Sequence, residues 1–162
     1  MIGQSLLVGQ NLAGEIDAVF VYGTLMPGCT SEHVARQAGK FRAVEAYLEG
    51  MLLYHFEPEG YPGIVPTDSA LQTSDQAVPA AATSPSRIEG YLLYFDDITM
   101  ALTLLDEFEE CYLEPPLYER QMMQVGPRDT LAWVYVYANR ERLTQPGVTH
   151  IVNGRWQEPS KP

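Results

Sequence analysis

Residues 18–22 (Ala-Val-Phe-Val-Tyr) form an unbroken β-branched and aromatic run that ends at Gly23. No other segment constrains the fold as much. A run without polar alternation suits a strand buried on both faces, so the rest of the chain must supply an apolar layer on each side. A chain of 162 residues is most simply one domain, able to bury roughly 70% of its unfolded surface without a disulfide or metal.

The expected order around that strand alternates extended segments with a few helices. Pro27 and Gly28 continue the loop, and Thr30 or Ser31 can cap a short helix ending near Gly39. Strand character follows over 41–45 and 47–54, a turn over 61–66, and a strand over 88–95. The clearest helix spans 100–110, with Asp96, Asp97 and Thr99 as candidate caps. Its residues Met100, Ala101, Leu104, Leu105 and Phe108 make one apolar stripe. Segments 121–125 and 131–138 read as an antiparallel hairpin across Gly126-Pro127-Arg128-Asp129. The class is α+β, with a single domain over 18–157.

Three stretches stand apart. Residues 67–86 hold Ser, Thr, Ala, Gln and Pro with almost no large apolar residue, as expected of a flexible surface insertion. Residues 1–17 read as a loose extension without the basic start or long apolar run of a signal peptide, and 158–162 as a tail. No run approaches the ~20 apolar residues of a membrane span. The expected location is the cytoplasm.

A formal net charge of -11 argues against nucleic acid or an anionic membrane as partner, because both need clustered Lys and Arg. His33, His55 and His150 have no ligand spacing, so no metal is expected. Cys29 and Cys111 form no C-x-x-C pattern. They read as reduced thiols, with a redox pair as the alternative.

Glu109 is the residue best placed for chemistry. It borders the apolar stripe at the C-terminal end of the helix, where the dipole disfavours an anion. Asp106, Glu107 and Glu110 add like charge. These effects raise its pKa toward the range useful to a general base; the plainer alternative is a solvated acidic turn. Tyr22-Gly23-Thr24-Leu25 is the complement, since a glycine leaving a buried strand can turn successive N–H groups toward an anion. The helix near Ser31 can add its positive end. Arg120 suits Asp106, Glu107, a substrate carboxylate or a surface pair. Trp133, Tyr135 and Tyr137 share one strand face, as core or as pocket edge.

In order along 19–156, several motifs resemble the γ-glutamylcyclotransferase family, in its small γ-glutamylamine-cyclotransferase-like (AIG2-like) branch. They are Val19-Phe20-Val21-Tyr22-Gly23-Thr24-Leu25, Tyr61-Pro62-Gly63, Glu89-Gly90-Tyr91-Leu92-Leu93-Tyr94, Leu105-Asp106-Glu107-Phe108-Glu109, Tyr118-Glu119-Arg120 and Trp133-Val134-Tyr135-Val136-Tyr137. The closing Gly154-Arg155-Trp156 is similar too. The resemblance implies a small twisted barrel of mostly antiparallel strands with flanking helices. It implies Glu109 as catalytic acid/base and Tyr22, Gly23, Thr24, Leu25, Tyr118 and Tyr137 as substrate contacts, without cofactor or metal. The implied reaction is intramolecular: the α-amine of a small γ-glutamyl substrate attacks its own side-chain carbonyl, giving 5-oxoproline and a free amine. A weakly catalytic binding protein of the same fold, or an enzyme removing a γ-glutamyl protecting group, stays open beside it. Residues 110–116 are longer and more acidic than the family's linker, which bears on the identity of the amine.

Overall fold

The computed structural model describes residues 16–67 and 87–157. The expected N-terminal extension up to residue 15, the insertion from residue 68 and the tail lie outside the described residues. The elements in chain order are β1 (Ala18–Val21), α1 (Glu32–Ala38), β2 (Phe41–Glu49), β3 (Met51–Phe56), β4 (Tyr61–Pro66), β5 (Arg87–Phe95), α2 (Ile98–Phe108), β6 (Tyr118–Val125), β7 (Thr130–Tyr137), a 3₁₀ turn (Arg140–Thr144) and β8 (Val148–His150).

β1 is the middle strand of a five-stranded sheet ordered β2-β5-β1-β7-β6. It pairs antiparallel with β5 and parallel with β7. Its side chains divide by parity, as the period of a strand requires. Val19 and Val21 enter a core shared with α2 residues Ala101 and Leu105, whereas Ala18 and Phe20 enter a second core with Ile88, Val134 and Trp156. The sheet is therefore buried on both faces, as the apolar run demanded. β7 obeys the same rule: Tyr135 and Tyr137 belong to the first core, Val134 and Val136 to the second.

The expected break near Ala46 is not there. Ala46 pairs with Gly90 inside a continuous β2–β5 ladder. The chain turns instead at Gly50, whose φ of 83° suits glycine, and passes into a second sheet ordered β4-β3-β8.

The expected barrel is not closed among the described residues. Edge strands β2 and β6 meet through one bridge beyond the end of β6, where Tyr47 and Gly126 exchange N–H···O bonds of 3.1 and 2.8 Å. A Cβ on Gly126 would lie 2.5 Å from the Tyr47 ring, so a larger residue there would force that ring to move.

Asp97 starts α2 by accepting the Met100 N–H at 3.1 Å. The apolar stripe is narrower than its spacing suggests, because α2 packs one edge on α1 and β5. Ala101 and Leu105 are buried, whereas Met100 is 68% and Phe108 37% exposed.

Sequence reading did not anticipate the 3₁₀ turn or β8. Arg142 anchors them, donating to both Glu59 carboxylate oxygens at 3.0 Å and to the carbonyls of Pro146 and Glu57 at 2.8 and 2.9 Å. This bidentate pair ties the β3–β4 turn to the C-terminal segment.

Gly90 lets β5 approach β1 closely. A Cβ there would lie 2.2 Å from the Val21 carbonyl oxygen and 2.9 Å from the Phe20 ring. Gly90→Ala should lower stability by about 1–3 kcal/mol through overpacking, read from the urea midpoint; an unchanged midpoint would refute the close approach.

Candidate active site

The β1 exit loop and the end of α2 face one another across a cavity of about 210 Å³. Gly23 sits so close to β4 that a Cβ would lie 2.6 Å from the Pro62 ring. Its job is thus close packing of loop on β4, where sequence reading had expected it mainly to free the backbone. Within the loop, Met26, Cys29 and Ser31 donate to the carbonyls of Gly23, Met26 and Thr24. Among the described residues, no loop hydrogen bond uses the N–H groups of Gly23, Thr24 or Leu25. These three residues line the cavity, which leaves backbone donors for an anionic or polarised oxygen.

The expected contribution of α1 is absent. Glu32, in its first turn, accepts the Gly28 N–H at 3.1 Å and pairs with Arg36 at 2.6 Å. The helix start carries no side-chain cap, its first-turn carboxylate is taken up by Gly28 and Arg36, and its residues do not line the cavity.

Opposite the loop, α2 ends at Phe108 with Glu109 as its C-cap residue. The Glu110 N–H bonds to the Glu107 carbonyl at 3.1 Å and the Cys111 N–H to the Asp106 carbonyl at 3.0 Å. This is the Schellman arrangement, whose left-handed position usually takes glycine. Here it is Glu110, at φ 57°, which costs about 1–2 kcal/mol. The turn points Glu109 into the cavity, where the residue keeps some open surface while protein atoms enclose its carboxyl. Burial, and then the charge of Glu110, push that carboxyl up to about 8. Asp106, expected to repel Glu109, is instead engaged elsewhere: its Oδ1 accepts Arg120 Nε at 2.8 Å and the Tyr135 hydroxyl at 2.7 Å. Of the partners open to Arg120, Asp106 is the one it takes.

Three tyrosines close the back of the cavity. Tyr22 donates its hydroxyl to the Tyr135 carbonyl at 2.7 Å, and Tyr118 donates to the Pro62 carbonyl at 2.5 Å. Both protons are spent on carbonyls, and the Tyr22 oxygen also accepts the Ile64 N–H, so of the two it is Tyr118 whose oxygen can meet a ligand, and only as an acceptor. Burial and the nearby Glu109 push the phenols of Tyr22, Tyr118 and Tyr135 upward, so they stay neutral.

Glu109, Tyr22, Gly23, Thr24, Leu25 and Tyr118 therefore come together at one cavity. Tyr137 does not. It is 2% exposed, stacks on Phe56 at 4.4 Å between ring centroids, and packs against Gly63. Tyr135, one step nearer on the same strand face, takes the place at the cavity wall. Tyr61, Pro62 and Leu117 also line it; Tyr61 and Pro62 belong to a motif of the resemblance but were not assigned to the site, and no signal in the sequence pointed to Leu117. Cys29 packs against the second core and Cys111 against the first, and the two are not joined in a disulfide. Among the described residues, no group of three or more His, Cys, Asp and Glu is placed to hold a metal ion, and no helix is long and apolar enough to cross a membrane.

The raised carboxyl makes stability depend on pH. Below its ordinary value of 4.5 the folded and unfolded chains both hold the proton and stability is full; it is lost as pH rises toward about 8. The span corresponds to roughly 4–5 kcal/mol. Glu110→Gly should raise stability by about 1 kcal/mol by relieving the left-handed strain. It should also move the end of the pH-dependent loss below pH 8 by removing a like charge. Urea unfolding from pH 4 to 9 checks both effects, and an unchanged profile would contradict this account of Glu109.

Comparison with known proteins bears on the fold and on the family. The chain resembles a crystal structure of protein PH0828 from Pyrococcus horikoshii with a TM-score of 0.53 and 20% identity, covering 85% of this chain and 87% of that one. It resembles an AIG2-like protein of Mus musculus with a TM-score of 0.56 and 24% identity, covering 82% and 85%. Kluyveromyces lactis allophanate hydrolase also contains the fold, with a TM-score of 0.57 and 10% identity over 85% of this chain and 19% of that one. No curated protein matches the sequence. At these identities the structures establish the fold. The family model described as "Gamma-glutamyl cyclotransferase, AIG2-like" matches residues 19–158, and the chain belongs to that family.

Proposed function

We propose that this protein is a cofactor-independent γ-glutamyl cyclotransferase, converting a small γ-glutamyl amine or peptide to 5-oxoproline and a free amine. The observation that carries the reading is one cavity lined both by a hard-to-ionise Glu109 and by Gly23, Thr24 and Leu25, whose N–H groups take no part in the loop's own hydrogen bonds. Family membership supports the reaction class.

The chemistry fits the parts. The nucleophile is tethered to the carbonyl it attacks, so holding the reactive rotamer replaces an activated side chain. Glu109 takes a proton from the α-ammonium and returns one to the departing amine, a double duty suited to a carboxyl that titrates near neutral pH. The loop N–H groups stabilise the oxygen as it gains charge. The acceptor oxygen of Tyr118 suits the ammonium end of the substrate. Glu110 on the cavity wall and the exposed Glu107 and Glu114 favour a neutral or cationic amine as leaving group.

The test is 5-oxoproline release from a panel of γ-glutamyl amines and dipeptides. Wild type should turn over at least one member, and Glu109→Gln should lose about 10²–10⁴-fold or more in kcat while keeping its fold. A Glu109→Gln variant that retains wild-type kcat would remove Glu109 from the mechanism. Silence of folded wild type across the panel would instead favour a binding protein.

A further inference from the structure

We propose that Asp106, Arg120 and Tyr135 form a positioning device for Glu109, aiming its carboxyl into the cavity and screening it from the Asp106 charge. The proposal rests on the reading of Glu109 as acid/base. None of the three is offered as a residue that touches substrate.

The geometry is specific. Asp106 lies one turn before Glu109, and both its backbone and its side chain are committed. Its carbonyl accepts the Cys111 N–H that closes the turn presenting Glu109. Its Oδ1 accepts Arg120 Nε and the Tyr135 hydroxyl, at 2.8 and 2.7 Å. Those donors are direct partners across the β6–β7 ladder, so one oxygen holds the end of α2 onto two strands at once. Arg120 is itself held, with its guanidinium 4.4 Å from the Trp133 ring. Tyr135 extends the link, since its carbonyl receives the Tyr22 hydroxyl at the head of the loop. Both walls of the cavity are thereby registered against a single residue of β7.

The electrostatics point the same way. The groups facing Glu109 are Glu110 from the turn, Tyr22 from the loop, Tyr118 from β6, Tyr135 from β7, and Cys111. The tyrosines are held neutral, and the Cys111 thiol is pushed up to about 12. Asp106 shares Tyr135 and Cys111 as electrostatic neighbours with Glu109, yet burial and Glu110 alone account for the rise at Glu109. Where Asp106 and Arg120 both act, at the Cys111 thiol, the carboxylate pushes up and the guanidinium pulls down, and the 2.8 Å pairing of the two limits the field that Asp106 sends toward Glu109.

A merely structural cluster and a screening one differ in sign. The Glu109 carboxyl is followed by ¹³C NMR in glutamate-labelled, substrate-free protein and assigned by its loss in Glu109→Gln. In Arg120→Gln the Asp106 charge is uncancelled, so the Glu109 midpoint should rise by about one pH unit. Asp106→Asn leaves the cation alone, and the midpoint should fall by a similar amount. The double variant should return toward wild type, as should Arg120→Lys, which keeps the charge and covers the case in which Arg120→Gln does not fold. Midpoints that move in the same direction in both single variants, or that stay in place, would overturn the proposal. The readout needs no turnover, so it stands apart from failure of the cyclotransferase reading, which would appear as absent 5-oxoproline release with these shifts intact.

Discussion

Tyr135 is the joint on which the site depends. Its carbonyl takes the Tyr22 hydroxyl and its own hydroxyl goes to Asp106, so one residue of a buried strand touches the loop on one side and the end of a helix on the other. Neither could be placed by local sequence alone, because a loop and a helix C-terminus are regions where backbone groups run out of intrinsic partners. Burial of β1 and β7 on both faces makes this joint rigid, since neither strand can slip by a residue without exchanging its two cores.

Holding Glu109 costs stability twice. A carboxyl enclosed by protein resists ionisation, and the turn that delivers it forces Glu110 into a left-handed conformation. Such expenses persist only where surrounding structure over-determines them. Here the surroundings are the Asp106 cluster beneath the turn and the bond from the Leu117 N–H to the Glu110 carbonyl, 3.2 Å long, which closes the 110–117 loop. Both ends of that loop, Glu110 and Leu117, line the cavity. Its acidic and exposed residues, Tyr112 and Glu114 among them, therefore hang from the cavity rim.

Much of this was legible in the sequence, for identifiable reasons. The unpolar run at β1 could satisfy only a doubly buried strand, and the alternation in β7 separated its two faces correctly. The pairing of Glu109 with the Tyr22–Leu25 segment came from ordered motifs, because no local pattern links residues so far apart. Periodicity failed where distance along a face decides the role. Tyr135 and Tyr137 have the same parity, yet one borders the cavity and the other is sealed behind Phe56 and Gly63. The source of the raised Glu109 carboxyl was misassigned in part because a sequence lists charges without their partners, and Asp106 had one in Arg120. The Arg142 clamp was invisible for a similar reason. It joins groups 83 residues apart and relies on carbonyls, which every residue has.

The central claim is that one cavity presents an acceptor and an acid/base on one side and backbone donors on the other. It is tested most directly by a crystal structure of the protein with 5-oxoproline bound. The account predicts the ring in this cavity, its oxygens toward the N–H groups of Gly23, Thr24 and Leu25 and its ring nitrogen toward Glu109. A ring bound in the reverse sense, or 5-oxoproline bound elsewhere while this cavity stays empty, would contradict it.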